Sequence, residues 1–257
     1  MKQNTIYPMI SVVIPVRNEA PNLYYILPRI PAIVSEVIIV DGHSTDDTIA
    51  VAQKLLPTAR IIEQQGEGKG DAVRVGFEAC TGEIIVMLDG DGSTDPLEIE
   101  SFVQALMAGN DFAKGSRFVK GGGSQDITLL RRLGNYGLCA LVNMLFRIQF
   151  TDLCYGYNAF WKYCLEYIQL DCNGFEVETL LTLRMHKAHL KTVEVPSMEH
   201  PRIHGQSNLR TFRDGWRVLS TIIRERTTRG PALAPLLHLT PSYNIPEPSP
   251  SSEEIVL

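Results

Sequence analysis

The chain has 257 residues, 44% of them hydrophobic, and a formal net charge of −5. That length and apolar content suffice for one large core, so one α/β domain is expected over 1–230. Residues 1–120 carry 10 Lys/Arg against 16 Asp/Glu, and residues 121–230 carry 14 against 10. This is not the domain-wide basic excess of a nucleic-acid binder. An acidic first half suits a metal, and a basic second half suits an anionic acceptor or a membrane surface. The five cysteines, odd in number and without a C-x-x-C pair, read as reduced residues of a cytoplasmic protein without structural zinc. Met1 to Tyr7 is polar and reads as no signal peptide. The longest uncharged apolar stretch of the basic half, Leu133 to Phe146, has 14 residues, short of the roughly 20 that span a bilayer.

Strand and helix signals alternate through the first 110 residues. Ile10 to Pro15 is a strand, and Asn18-Glu19-Ala20-Pro21 opens a helix with proline in its first turn. Val37 to Val40 is a second strand ending at Asp41-Gly42; Ser44 to Asp47 supplies caps for a helix running to Leu56. Ala59 to Glu63 is a third strand. A loop bearing Gly66, Gly68 and Gly70 leads into a helix over Asp71 to Cys80, and Glu83 to Leu88 is a fourth strand. Three strands thus end in polar residues, at Arg17-Asn18, Asp41 and Asp89, and the carboxyl edge of a parallel sheet is where ligands sit. Beyond Gly121-Gly122-Gly123, Leu129 to Phe150 reads as a helix with one apolar face. Thr151 to Lys162 is short and aromatic. A helix from Gly174 to about Lys187, a strand at Lys191 to Val195 and a helix at Arg213 to Arg226 follow. Residues 231–257 hold six of the 15 prolines in a Ser-rich, acidic run and read as a disordered tail.

Asp89-Gly90-Asp91-Gly92 sets two carboxylates one residue apart at a strand end. Their mutual repulsion is about a kcal/mol or more even in a wet site, and a cation removes it. Oxygen-only ligands on a short turn suit Mg²⁺ or Mn²⁺, and Mg²⁺ completes its shell with substrate phosphate oxygens. The pair therefore points to a nucleotide-activated donor. A P-loop is excluded because Gly-Lys-Gly-Asp fails its pattern, and no G-x-G-x-x-G follows the first strand.

VVIPVRNEAPNL, VIIVDGHSTDDT, GEGKGDAVRVGF, GEIIVMLDGDGSTDP and AKGSRF, in this order, resemble glycosyltransferase family 2, whose fold is GT-A. The later RRLGN, TDLCYGYNAF, GFEVETLL and RIHGQSNL resemble the dolichol-phosphate mannose synthase branch and its bacterial polyprenyl-phosphate relatives. The resemblance implies a single Rossmann-like GT-A domain with a mostly parallel sheet flanked by helices, divided into a donor half (1–120) and an acceptor half (121–230). It implies inverting transfer from a nucleotide-sugar to a polyprenyl phosphate. Pro15, Arg17, Glu19, Asp41, Lys69 and Asp89 would bind the donor, and Asp89 and Asp91 the metal. Arg117, Arg131 and Arg132 would bind the acceptor phosphate, since arginine grips phosphate in a planar fork. Asp91, Asp152 and Arg202 would lie at the reacting centre. Ser93 stands where the branch has a metal-binding Gln, and Asn208 replaces an expected Lys. A hydroxyl acceptor would instead need a general base, Asp152 or Glu178; Glu178 also suits a helix N-terminus. The enzyme is expected in the cytoplasm, peripheral at the inner face of the membrane, with Gly137 to Phe150 as core or as an interfacial helix.

Overall fold

The computed structural model describes residues 7–205 and 209–228. The apolar runs form β1 (Ile10–Val16), β2 (Glu36–Asp41), β3 (Arg60–Glu63) and β4 (Ile84–Met87). Helices α1 (Ala20–Ile26), α2 (Thr48–Leu55) and α3 (Lys69–Ala79) connect them. Strands β1 and β4 are buried almost throughout, which is why they read as continuous apolar runs rather than alternating ones. The next elements, α4 (Ile99–Met107) and β5 (Phe112–Ser116), have no counterpart among the expected ones.

After β6 (Gly123–Ser124) come α5 (Leu129–Phe146), β7 (Asn158–Trp161), α6 (Val177–Lys187), β8 (Thr192–Pro196), β9 (Met198–Glu199) and α7 (Thr211–Thr227). Seven strands form one sheet in the order β3-β2-β1-β4-β7-β5-β8, while β6 and β9 form a separate parallel pair. Among the described residues only β7 runs antiparallel, against both β4 and β5. The sheet is therefore mostly parallel, with helices on it, as expected. Its core is dominated by Phe77, Phe102, Phe112, Tyr157 and Phe160, each of them buried, and burying an aromatic of that size contributes roughly 1.5–3 kcal/mol. Phe102 stacks on Tyr157 and Phe160 meets Phe77 edge-on. A second cluster, Cys139, Val142, Phe150, Leu153, Leu183, Val218 and Ile222, ties α5, α6 and α7 together.

Two boundaries differ from the expected ones for local reasons. Helix α5 stops at Phe146 because Arg147 adopts a left-handed conformation, and the Asn143 amide then exchanges two hydrogen bonds with the Phe150 backbone. At α2 the N-terminal acceptor is Asp46, which takes the Thr48 N–H; Asp47 makes no side-chain cap and Ser44 accepts from Asn18 N. The tail 231–257 and Asn208 lie outside the described residues.

Candidate functional site

Because β1, β2 and β4 are parallel, their carboxyl ends share one edge, and Val16 stands in register with Asp41. Asp41 is 1% exposed. Its Oδ2 accepts from Ser44 N at 3.0 Å, while Oδ1 is buried without a hydrogen-bond partner among the described residues. A buried acceptor left open is costly unless a ligand or water fills it. Pro15 is half-buried and Arg17 exposed on the neighbouring strand end.

In the acidic turn after β4, each carboxylate of the pair is held by a cation from a different segment. Lys69 Nζ sits 2.5 Å from Asp89 Oδ1 and 2.6 Å from Glu178 Oε1. Burial works against that ammonium, yet the two carboxylates outweigh it and raise its pKa. Glu178 is raised by burial and by Asp89, with Lys69 opposing. Arg202 spans Asp91 Oδ2 at 3.0 Å and Glu19 Oε1 at 2.9 Å. Asn22 also binds Glu19, whose pKa is raised by burial. Asp91 Oδ1 further accepts from the backbone and hydroxyl of Ser93, so Ser93 positions the carboxylate. On its other side Asp89 meets the backbone of Gly156, where a Cβ would overlap the carboxylate. A side chain there would force the Asp89 carboxylate to shift.

The donor set of this turn fits Mg²⁺ or Mn²⁺. It is oxygen-only, and both side chains keep solvent access, at 24% and 22%. No group of three or more His, Cys, Asp or Glu that could hold a metal ion exists among the described residues, and a Mg²⁺ that takes two carboxylates and completes its shell from phosphate and water needs none.

The three acceptor-side arginines differ in exposure and pairing. Arg117 is 8% exposed, and its guanidinium is engaged on two sides. Nε and Nη2 donate to Asp152 at 2.7 and 3.0 Å, and Nη1 donates to Glu199 at 3.0 Å. Asp152 is fully buried and also receives the backbone N–H groups of Arg117 and Cys154. Asp152, expected at the reacting centre or as a base, is paired with Arg117 in the structure, and the Arg117 guanidinium is shared between Asp152 and Glu199. Arg132, exposed at the start of α5, and Arg117 line one cleft of about 320 Å³ with Ser124 and Ile127. Phe118 and Tyr136 belong both to it and to an adjoining cleft of about 300 Å³ lined by Cys139, Ala140 and Phe150. A cationic end thus opens onto an apolar one. Arg131 is half-buried on the same turn.

Two chain segments join this cleft to the acidic turn. One carries Asp152 at Arg117 and Gly156 at Asp89. The other carries Glu199 at Arg117, His200 N donating to Ser93 O, and Arg202 at Asp91.

Residues 11–168, more than half of the chain, match the family described as glycosyl transferase family 2. The chain belongs to glycosyl transferase family 2. Among its family 2 relatives is a dolichol-phosphate mannosyltransferase of Pyrococcus furiosus, 31% identical over 78% of this chain and 59% of its own. A dolichyl-phosphate hexose transferase of Haloferax volcanii is 30% identical over 74% and 80%. A polyprenol monophosphomannose synthase of Mycolicibacterium smegmatis is 30% identical over 72% and 75%. The chain spans 65%, 59% and 52% of the length of three of the curated relatives it matches. In fold it resembles the glucosyl-3-phosphoglycerate synthase of Mycobacterium tuberculosis solved with Mn²⁺ and UDP, with TM-score 0.67 and 24% identity over 85% of this chain and 80% of that one.

Glu199, Glu194 and Lys114 were not singled out in the sequence, although all three build the site. Glu194 Oε1 accepts from the backbone N–H groups of Thr151 and Asp152. No spacing marks them, because each partner lies across the sheet rather than along the chain.

Proposed function

We propose that this family 2 enzyme transfers a sugar, with inversion, from a nucleotide-sugar to the phosphate of a polyprenyl phosphate at a membrane surface. The observation that carries the reading is the state of the two candidate bases. Asp152 is 0% exposed and bound to Arg117, and Glu178 is 3% exposed and bound to Lys69. A hydroxyl acceptor must lose a proton to such a group, whereas a phosphate is already anionic. The cleft beside Arg132 and Arg117, opening onto apolar walls, matches an amphiphile with an anionic head.

In this reading Asp41 offers its open carboxylate oxygen to the donor's ribose or base, between Pro15 and Arg17. A divalent cation, Mg²⁺ or Mn²⁺, held by Asp89 and Asp91, supplies charge neutralisation for the departing nucleoside diphosphate. Lys69 and Arg202, which pair with those two carboxylates, would place their positive charge beside the diphosphate. The acceptor oxygen attacks the anomeric carbon, its bond to the diphosphate breaks with the electron pair, and no proton moves. Arg132 and Arg131 hold the acceptor phosphate, with Arg117 as a fixed positive wall behind them.

Among the described residues, no helix is long and apolar enough to cross a membrane. Leu129, Leu133 and Met144 of α5 and Phe212 and Trp216 of α7 are nevertheless exposed, each by 60% or more. With the exposed Arg213 between Phe212 and Trp216 and Arg217 next to them on α7, they support docking on an anionic bilayer.

The test is a screen of GDP- and UDP-sugars against a short polyprenyl phosphate and its free alcohol, with product mass measured. Transfer to the phosphate only, with a shallow pH profile, is expected. Transfer to the alcohol with a basic limb in the pH–rate curve overturns the reading. Arg132→Ala should raise the acceptor KM about tenfold, since a charge-assisted bond contributes roughly 1.5–3 kcal/mol.

A further inference from the structure

Strand β5 carries a charge in the middle of the core. Lys114 is 0% exposed, flanked in register by Asn158 of β7 and Glu194 of β8. Its Nζ donates to the Tyr155 carbonyl at 3.0 Å. Asn158 Nδ2 reaches the same carbonyl at 3.3 Å. Burial pulls the lysine below its ordinary pKa, and Asp152 and Glu194 oppose that pull. Desolvating an ammonium in such a place is costly. Packing alone would be better met by an apolar side chain, so what the ammonium holds is the point of interest.

It holds the peptide unit that joins Tyr155 to Gly156. That unit leads directly into the glycine whose backbone lies against the Asp89 carboxylate. The same short segment is fastened beyond it by Gly115 N donating to Tyr157 O at 2.9 Å, from the residue next to Lys114. At its start it carries Asp152, the counterion of Arg117. One buried ammonium therefore anchors the segment between the acidic turn and the cationic cleft.

We propose that Lys114 is a positioning residue of the metal site: by fixing the Tyr155 carbonyl it presses Gly156 against Asp89 and sets the carboxylate's orientation for the cation. The assignment rests on the reading of Asp89 and Asp91 as metal ligands. Groups that orient a metal ligand typically change affinity 10–100-fold when removed.

The experiment titrates the whole chain with Mn²⁺, alone and with GDP or UDP, reading free Mn²⁺ by electron paramagnetic resonance. Lys114→Met keeps the length and the apolar stem and removes the donor. It should weaken Mn²⁺ binding tenfold or more while the thermal midpoint holds or rises, because a buried charge has been removed. Lys114→Gln keeps a neutral donor and should fall between Met and wild type, weakening uptake about threefold; it also serves alone if the Met variant does not fold. At saturating Mn²⁺, kcat should recover towards wild type while the metal requirement stays shifted, a split that mere loosening of the core would not give. Folded Lys114→Met, or Lys114→Gln where Met does not fold, with wild-type Mn²⁺ affinity overturns this assignment alone. Wild-type protein that takes up no Mn²⁺ overturns both it and the functional reading beneath it.

Discussion

Asp152→Asn tests whether this carboxylate serves the fold or the chemistry. The substitution keeps the shape and removes the charge opposite Arg117, leaving a guanidinium 7% exposed with Glu199 as its remaining counterion. Breaking one partner of a buried pair costs about 3–5 kcal/mol. For a domain of this size each kcal/mol moves the thermal midpoint by about 2–4 °C, so a fall of about 6–20 °C is expected. Glu199→Gln, at a side chain 14% exposed, should cost less. The double variant Arg117→Met, Asp152→Leu removes both charges together and should recover a large part of the loss, since apolar replacement of a buried pair is often neutral. Unfolding followed by circular dichroism gives all four midpoints. An Asp152→Asn midpoint within about 2 °C of wild type, together with lost turnover, would refute the counterion role and return Asp152 to the reacting centre.

Asp91→Ala should abolish transfer while the midpoint stays within about 2 °C; more than a tenth of the wild-type rate at saturating Mn²⁺ rejects Asp91 as the ligand. Gly156→Ala drives a methyl into Asp89 and should weaken Mn²⁺ uptake at least tenfold, checked by the same titration as Lys114. Glu36 is held at about 2: burial opposes ionisation, but Ser11, Thr81 and Arg60 all bind the carboxylate and outweigh it. Because the folded pKa lies below the unfolded value of 4.5, the contribution is complete above about pH 4.5 and is lost as the pH falls towards 2. Glu36→Gln should therefore flatten the acid limb of a midpoint-against-pH curve between those values, and an unchanged limb rejects the linkage. Phe212→Glu and Leu133→Glu should each reduce sedimentation with phosphatidylglycerol-containing vesicles severalfold without changing the fold; unchanged sedimentation rejects α5 and α7 as the docking face.

What the sequence made legible follows from the range of the interactions concerned. The buried strands β1, β2 and β4 announce themselves as apolar runs, and the polar residues at their ends mark the ligand edge, so Asp41, Asp89 and Asp91 are found in the string itself. Strand β5 is hidden because Phe112-Ala-Lys-Gly-Ser shows neither a run nor an alternation, its lysine being buried by partners from two other strands. Strand β7 escapes for a related reason: its antiparallel course is set by β4 and β5 on either side, not by its own four residues. The same limit governs the charges. Arg117 and Asp152 are 35 positions apart, Arg117 and Glu199 are 82 apart, and Arg202 and Asp91 are 111 apart. An arginine read alone is a free fork for phosphate. It becomes a wall or a strut only once the fold supplies its carboxylate. Residue type suggests a chemistry for the site, but the division between groups free to meet a ligand and groups that hold others in place is a property of the sheet order. Here that order seats the β7 segment between the acidic turn and the cationic cleft, so that one short stretch, Asp152 to Gly156, touches both.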